Sequence, residues 1–330
     1  MIGKDESIDV GVIGVGSMGR HHARVYSELP NATLVGVFDV DDDQARAVAA
    51  KHGVEAMDLD ALLAAVDAVS VVVPTQYHYD MALRCLDANV GTFIEKPVLG
   101  DLERADDLLS RVRLADVPVQ IGHIERFNPA VTALAEIVDE LSIVSIRAQR
   151  LGPPPGREID DSAVLDLMIH DIDVVCSLLD SVPSSVKSVG VDENRHASAL
   201  LEFDSGVMAS LTASRKTQRK VRTLEITAEE CFVELDYIDQ SIEIHRNSIP
   251  EYVERDGDVR FKHESIVEKP RVANDEPLRC ELESFVRTVD RNGVPEVTVQ
   301  DGIDALSVAL EIEADALESD VAPRTVAADD

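Results

Sequence analysis

The chain is poor in basic residues. Its 330 residues include 31 Lys plus Arg against 63 Asp plus Glu, so the formal net charge is −32 at pH 7. Lys is the scarcer base, with 8 residues against 23 Arg. A surface this acidic repels the phosphate backbone of nucleic acids and anionic membranes. We therefore expect neither nucleic acid nor membrane as a partner.

Long apolar runs and paired cysteines are also missing. No stretch of about 18 apolar residues occurs, which argues against a membrane-spanning helix. The first residues, MIGKDESIDV, do not follow the pattern of a secretory signal. The four cysteines are scattered without a C-x-x-C pair, so we expect reduced thiols and a cytoplasmic protein. They are Cys85, Cys176, Cys231 and Cys280.

The acidic residues are spread along the chain, with clusters at 39–43, 58–60 and 101–107. Molar salt screens the repulsion between such charges, because the Debye length is only about 3 Å at 1 M. We predict a salt-loving protein whose stability depends on salt. An ordinary acidic protein is the alternative.

Strand and helix patterns alternate over the first third of the chain. Short turns separate them, and this order predicts a parallel sheet with helices on both faces. The pattern changes near Gly122, and the chain is long enough for two domains. We predict a Rossmann domain over residues 1–122. Its strands are expected at 8–13, 33–38, 69–73, 92–94 and 117–121.

The rest of the chain, 123–330, has a different pattern. A helix is predicted over 164–179, and short strands separated by turns follow from 186 to about 246. This pattern predicts an α/β domain with a mainly antiparallel sheet. One open face of that sheet needs cover, and a second subunit often provides it. We expect a substrate-binding and oligomerisation domain, in a homodimer or homotetramer.

A glycine motif follows the first predicted strand and opens a helix: Gly14-Val15-Gly16-Ser17-Met18-Gly19. The glycines allow a tight turn, close approach of a pyrophosphate and close packing of helix on strand. Asp39 ends the second strand, 20 residues after Gly19. It can accept hydrogen bonds from a ribose and would repel a 2′-phosphate, which favours NAD over NADP. A glycine-rich turn without a ligand is the alternative.

Glu95-Lys96-Pro97 follows the fourth predicted strand. Ligands of open α/β sheets bind at this edge. A lysine here can hold a substrate hydroxyl and relay its proton. Taken alone, the motif favours the alternative of a surface Lys–Glu pair.

The helix predicted over 164–179 is apolar except for a polar stripe. Asp166, His170 and Asp173 are spaced so that they share one face. Charged groups are costly in such a helix unless they have a task. His170 is a candidate acid–base group, and Asp166 a candidate to contact substrate or orient the imidazole. A core histidine or a metal site is the alternative, although no other His or Cys shows ligand spacing, so we expect no metal.

Together these residues resemble the glucose–fructose oxidoreductase, inositol dehydrogenase and rhizopine-catabolism (Gfo/Idh/MocA) family of sugar dehydrogenases. The resemblance implies that Lys96 and His170 are the acid–base pair acting on a sugar hydroxyl, that Asp166 helps to hold this hydroxyl, and that the hydride passes to NAD. A departure is the sequence Asp-Ser-Ala at 161–163, where the family often has glycines. The further cofactor contacts implied are Ser17, Met18, Pro74, Thr75, His78, Glu95 and Lys96.

Three segments, 122–129, 150–153 and 166–173, resemble a narrower group, the UDP-N-acetylglucosamine 3-dehydrogenases. This implies oxidation of the C3 hydroxyl of that nucleotide sugar. A diphosphate needs hydrogen-bond donors such as the Arg side chains named at the end of this paragraph. Salt bridges with neighbouring carboxylates are the alternative explanation of these arginines. A free sugar or inositol as substrate, or a non-catalytic NAD-binding sensor, stays open. The expected substrate contacts are Arg126, Asn128, Arg150, Arg157, Asp173 and Arg219.

Overall fold

The computed structural model describes residues 7–154, 162–247, 251–255, 258–262 and 264–318. The described residues form two compact units. Unit 1 takes them from 1–127 and 275–307, and unit 2 from 128–274 and 308–330. The predicted boundary after residue 122 had placed the whole of 275–307 in the second domain. The structure assigns that segment to unit 1 instead.

Unit 1 contains a six-stranded parallel sheet with the order β3-β2-β1-β4-β5-β6. The predicted Rossmann sheet is thereby confirmed. Its strands are β1 (Ile8–Ile13), β2 (Ala32–Phe38), β3 (Glu55–Ala56), β4 (Ala68–Val71), β5 (Gly91–Glu95) and β6 (Val119–Gly122). The helices between them are α1 (Ser17–Glu28), α2 (Asp42–His52), α3 (Leu59–Ala65), α4 (His78–Asp87) and α5 (Ala105–Leu114).

Aspartates fix where two of these helices begin. Asp41 precedes α2, and its side chain accepts hydrogen bonds from the amides of Asp43 and Gln44. Asp58 does the same for the amide of Ala61 in α3. Such caps satisfy amides that have no partner within the helix. Part of the acidic composition therefore has a local structural role.

Two further helices lie in the last part of the chain, α8 (Pro277–Arg291), which belongs to unit 1, and α9 (Val299–Glu318), whose residues from 308 onward belong to unit 2. In α8, Leu278, Leu282 and Phe285 are buried in one cluster with Tyr26 and Phe93 of unit 1. This shared core is the reason that the segment belongs to unit 1. Helical spacing alone predicts that α8 has an apolar face but not which sheet that face covers.

Unit 2 contains an eight-stranded sheet with the order β16-β13-β12-β11-β7-β10-β9-β8, and a separate hairpin of β14 and β15. Its strands are β7 (Ile143–Leu151), β8 (Ser185–Val191), β9 (His196–Glu202), β10 (Met208–Ser214), β11 (Val221–Ala228), β12 (Phe232–Asp236), β13 (Ser241–Asn247), β14 (Glu251–Arg255), β15 (Asp258–Lys262) and β16 (Ser265–Glu268). Its remaining helices are α6 (Pro129–Val138) and α7 (Ile169–Leu179).

The mainly antiparallel sheet is confirmed, but it is not a simple meander. Strand β7 lies between β10 and β11, and it runs parallel to β10 and antiparallel to β11. Side chains alternate along the strands, so that Ile146 and Ala148 of β7 are buried while Arg147 is exposed. The register therefore gives the sheet one buried and one outward face.

The structure adds two local features to the predicted pattern. The helix predicted over 164–179 begins with a π-helical turn, Val164–Met168, before α7 continues it. The strands after residue 247 were not predicted. All four residues of β16 are exposed, so this edge strand lacks the apolar alternation that marks a half-buried strand. Within the described residues, no helix has both the length and the apolar content that crossing a membrane requires.

Candidate active site

The glycine turn between β1 and α1 requires glycine at two positions. Gly14 has a φ of +87°, and a Cβ there would lie 2.5 Å from the carbonyl oxygen of Val72. A Cβ on Gly19 would collide with the carbonyl oxygen of Gly14. The turn and the close packing of α1 therefore both depend on the missing side chains.

The N-terminus of α1 differs from those of α2 and α3. In the part of the chain that the structure describes, no side chain caps α1, and its first turn carries no acid. A Cβ on Gly16 would meet no atom within 4 Å, so the backbone here is open to approach. Unpaired amides and the helix dipole favour an anion at such an end. Gly16, Ser17 and Met18 therefore fit the pyrophosphate of a dinucleotide.

Asp39, at the end of β2, is tied to the glycine turn. Its Oδ2 accepts hydrogen bonds from the amide of Val15 at 2.7 Å and from Nε2 of Gln44 at 3.0 Å. Its Oδ1 accepts one from the amide of Asp41 at 2.9 Å. An ionised carboxylate has about four acceptor positions, so Asp39 keeps capacity for a ribose hydroxyl. This geometry fits NAD.

Lys96 lies in the turn that follows β5 and is half-buried. Its amide donates a hydrogen bond to Oε2 of Glu95 at 3.1 Å, and Nε2 of His22 lies 3.0 Å from Oε1 of Glu95. Burial raises the pKa of Glu95, but the hydrogen bond from His22 and the charges of His22 and Lys96 outweigh it, so the pKa lies below its ordinary value. The carboxylate is thus held on both oxygens.

His78 connects the ends of β4 and β5. It is 1% exposed, and its Nδ1 and Nε2 each lie 2.9 Å from a carbonyl oxygen, that of Pro97 and that of Val73. Burial lowers the pKa of His78, and these backbone contacts oppose the shift. The imidazole therefore braces the Lys96 turn, which favours an indirect contribution to cofactor binding. Pro74 and Thr75 lie beside it, where β4 ends.

In unit 2, the side chains of the predicted polar stripe differ in how deeply they are buried. Asp166 and His170 are half-buried, whereas Asp173 is 1% exposed. Arg215, which follows β10, donates a hydrogen bond to Oδ2 of Asp166. Helical spacing does not predict this partner, because it lies 49 residues away in the sequence.

Arg150 forms a buried ion pair. Its Nε and Nη2 donate to the two carboxylate oxygens of Asp171 at 3.0 and 2.8 Å, and both side chains are 2% exposed. Its guanidinium carbon also lies 5.0 Å from the centre of the Tyr237 ring. These contacts favour a structural role for Arg150 over the substrate contact expected from the sequence.

A cavity of about 210 Å³ lies beside Asp166 in unit 2. Its wall carries four basic side chains, which is unusual in a chain of net charge −32. They are Arg150, Arg215, Lys220 and Arg222. Arg219, the residue expected here from the sequence, is exposed, and its neighbour Lys220 lines the cavity. A pocket with this charge suits a phosphate-bearing ligand.

The remaining predicted substrate contacts are spread over the chain. Asn128 caps α6, where its Oδ1 accepts from the amide of Ala130 and its Nδ2 donates to the carbonyl of Tyr237, both at 3.1 Å. Arg126, in unit 1, lies 3.5 Å from Asp301. Arg157 lies outside the described residues. The cap favours a structural role for Asn128.

One group in the described residues has the spacing of a metal site. Ligand atoms of Glu234, Glu243 and His245 lie within 4.8 Å of one another. His245 lies 2.9 Å from Glu234, and Lys269 lies 2.6 Å from Glu243. The carboxylates are therefore paired with bases on an exposed part of the sheet, which indicates an ion-pair network.

Comparisons with known proteins decide the family. Residues 8–123 match the model of the oxidoreductase family with an NAD-binding Rossmann fold, and residues 142–234 match the GFO/IDH/MocA C-terminal domain. The chain belongs to the Gfo/Idh/MocA oxidoreductases. It is therefore an NAD-dependent dehydrogenase, which the resemblance implied, and NAD is the cofactor that the glycine motif and Asp39 predicted.

Two relatives within this family are informative. UDP-N-acetylglucosamine 3-dehydrogenase of Acidithiobacillus ferrooxidans is 36% identical over 240 residues, which cover 71% of this chain and 76% of the relative. Its solved structure has a TM-score of 0.84 and 30% identity over 95% of this chain and 99% of that one. Inositol 2-dehydrogenase of Rhizobium meliloti is 27% identical over 92% of this chain and 95% of the relative. Different substrates thus occur among these Gfo/Idh/MocA relatives.

Proposed function

We propose that this Gfo/Idh/MocA dehydrogenase oxidises a ring hydroxyl of a nucleotide sugar, the C3 hydroxyl of UDP-N-acetylglucosamine. The observation that carries the proposal is the basic cavity beside Asp166. Among its residues, Lys220 is exposed and Arg222 is half-buried, so both can reach a diphosphate. The 36% identical relative named for this substrate supports the same choice.

In the proposed reaction, Lys96 and His170 take the proton from the sugar hydroxyl, and Asp166 holds that hydroxyl. Arg215 keeps the carboxylate of Asp166 in place through its hydrogen bond. The chemistry that bound NAD supplies is acceptance of the hydride from the ring carbon at C4 of the nicotinamide. The ring carbon would become a ketone, with the hydroxyl proton passing to the Lys96 and His170 side chains and the hydride to NAD.

The test is NADH formation at high KCl with NAD and UDP-N-acetylglucosamine, with a carbonyl trap to draw the equilibrium forward. Glucose and myo-inositol are measured in parallel. The proposal expects turnover with the nucleotide sugar alone. Turnover with either polyol but none with the nucleotide sugar would contradict it.

Oxidation of inositol is the second candidate, because the Rhizobium meliloti relative with that name aligns with 92% of this chain. It predicts turnover with myo-inositol that is unaffected by loss of Lys220. The non-catalytic alternative predicts NADH binding without turnover of any sugar. The substrate panel and a parallel NADH titration therefore separate all three functions.

We also propose that copies of the chain assemble through the outward face of the unit 2 sheet. Val189, Leu200 and Met208 are 59%, 44% and 46% exposed there, and Arg147 and Glu225 lie beside them. A second copy would remove these apolar side chains from water. Light scattering after size exclusion at high KCl should show a dimer or tetramer, and Leu200→Asp should shift it toward monomer. A monomeric wild-type protein would contradict the proposal.

A further inference from the structure

We propose that His22 is a positioning residue that holds Lys96 through Glu95. This inference rests on the proposed role of Lys96 in proton transfer. His22 lies in α1, and Lys96 follows β5, so the two are distant in sequence but belong to the same unit. The carboxylate of Glu95 joins them.

The His22 ring is fixed by its surroundings. It is 0% exposed, and its centre lies 5.3 Å from the Phe93 ring and 6.5 Å from the Tyr26 ring, both in edge-on arrangements. Phe93 packs in turn on Phe285 of α8, with ring centres 5.7 Å apart. A ring enclosed in this way presents its Nε2 in one direction.

Glu95 has little room to move. A Cβ placed on Gly122 of the neighbouring strand would lie 3.1 Å from Oε2 of Glu95 and 3.0 Å from the Phe93 ring. With one oxygen on His22 and the other on the Lys96 amide, the carboxylate fixes the backbone from which the lysine side chain starts. Loss of either contact would release the turn.

The arrangement also connects two functions of unit 1. Helix α1 begins at the glycine turn whose amides fit the dinucleotide, and one turn further along it carries His22. The same helix therefore holds the cofactor site at its N-terminus and the lysine through its buried histidine. A misplacement of about 1 Å at a catalytic group can cost roughly 10²-fold in rate.

The experiment compares His22→Leu, which removes the ring nitrogens, with His22→Gln, whose amide can still donate to Glu95. His21→Leu is the matched control, because His21 is the adjacent histidine and is exposed. Hydrogen exchange at the Lys96 amide is measured by mass spectrometry without substrate. His22→Leu should accelerate that exchange roughly tenfold, the effect of losing a charge-assisted hydrogen bond. His22→Gln should restore it substantially, and His21→Leu should match wild type.

Activity provides the second measurement. His22→Leu should lower kcat by roughly 10- to 100-fold while the Kd for NADH changes much less, and His22→Gln should recover most of the loss. Unchanged exchange in His22→Leu would overturn the proposal, as would faster exchange with an unchanged kcat. If His22→Leu does not fold, Glu95→Gln, which weakens the same link and keeps the ring, must accelerate exchange. The exchange result stands even if wild type oxidises none of the sugars, so failure of the proposed function is distinguished from failure of this one.

Discussion

The two units hold their candidate catalytic residues by different means. In unit 1, Lys96 lies in a turn that two buried imidazoles brace, His22 through a carboxylate and His78 through backbone carbonyls. In unit 2, Asp166 lies at a basic cavity and receives a hydrogen bond from Arg215. Unit 1 thus relies on buried histidines that hold the lysine turn, whereas unit 2 relies on arginine–aspartate pairs.

This difference shows that a basic residue near a site need not serve the ligand. Arg150 lines the unit 2 cavity, yet Asp171 already occupies two of its donors deep in the unit. Lys220 lines the same cavity and is exposed. Burial and existing partners, rather than charge alone, separate the side chain that stabilises the fold from the one that can bind a phosphate.

Salt should have the largest effect, because it acts on both units together. Removing KCl restores repulsion within a chain of net charge −32. The thermal midpoint should therefore rise steadily between 0.1 and 3 M KCl, followed by circular dichroism. A midpoint that falls with added KCl would contradict the predicted adaptation to salt.

Lys96→Met tests the unit 1 site. It should lower kcat by about 10²- to 10⁴-fold, the usual contribution of a positioned acid–base group. NADH binding, followed by its fluorescence, should persist, because the glycine turn and Asp39 are untouched. Normal turnover in this variant would remove Lys96 from the mechanism.

Arg150→Met tests whether unit 2 depends on its buried pair. Asp171 would lose the two hydrogen bonds that Arg150 donates while its carboxylate stays buried, so the free energy of unfolding should fall by about 3–5 kcal/mol. Arg147→Met on the same strand is the control. That exposed side chain lies 3.5 Å from Glu225, and its loss should cost under about 1 kcal/mol. If urea unfolding showed that both variants lose the same free energy of unfolding, the distinction between the buried and the exposed ion pair would be refuted.

Cys85→Ala tests how the buried interior of unit 1 makes the free energy of unfolding depend on pH. Burial raises the pKa of the Cys85 thiol to about 12 from 9.0. The folded state therefore favours the protonated thiol. The contribution of this preference to the free energy of unfolding is fully present below pH 9 and is lost as the pH rises toward 12. Between pH 8 and 10, the free energy of unfolding measured in urea should fall by about 1.4 kcal/mol more in the wild type than in the variant.

Cys231→Ala in unit 2 is the control for that experiment. Burial also raises the pKa of Cys231, and the charge of Arg246 opposes it. Its effect on unfolding between pH 8 and 10 should be smaller than that of Cys85→Ala. A larger change in the pH dependence of unfolding for Cys231→Ala than for Cys85→Ala would contradict the stronger burial of the unit 1 cysteine.

Much of unit 1 is predictable because its signals are local. The strands predicted at 8–13 and 33–38 follow from short apolar runs, and the structure has them as Ile8–Ile13 and Ala32–Phe38. Lys96 and Asp39 were found because they follow strands whose carboxyl ends share one edge. The contact between His22 and Glu95 was missed, because a partner 73 residues away leaves no local pattern in the sequence.

Less of unit 2 is predictable, because its contacts join distant segments. The insertion of β7 beside β10 depends on sheet pairing that strand patterns do not specify. Arg150 was expected at the substrate because basic charge is visible in a sequence, whereas its pairing with Asp171 is not. The hydrogen bond from Arg215 to Asp166 was not predicted for the same reason, because its partners are 49 residues apart.

The most direct test of the central claim is the KM of Lys220→Ser for UDP-N-acetylglucosamine at high KCl. Arg113→Ser, which removes an exposed base from the last turn of α5, is the control. If the unit 2 cavity binds the diphosphate, Lys220→Ser should raise KM roughly tenfold with kcat little changed, and the control should match wild type. An unchanged KM in Lys220→Ser would contradict the assignment of that cavity to the nucleotide.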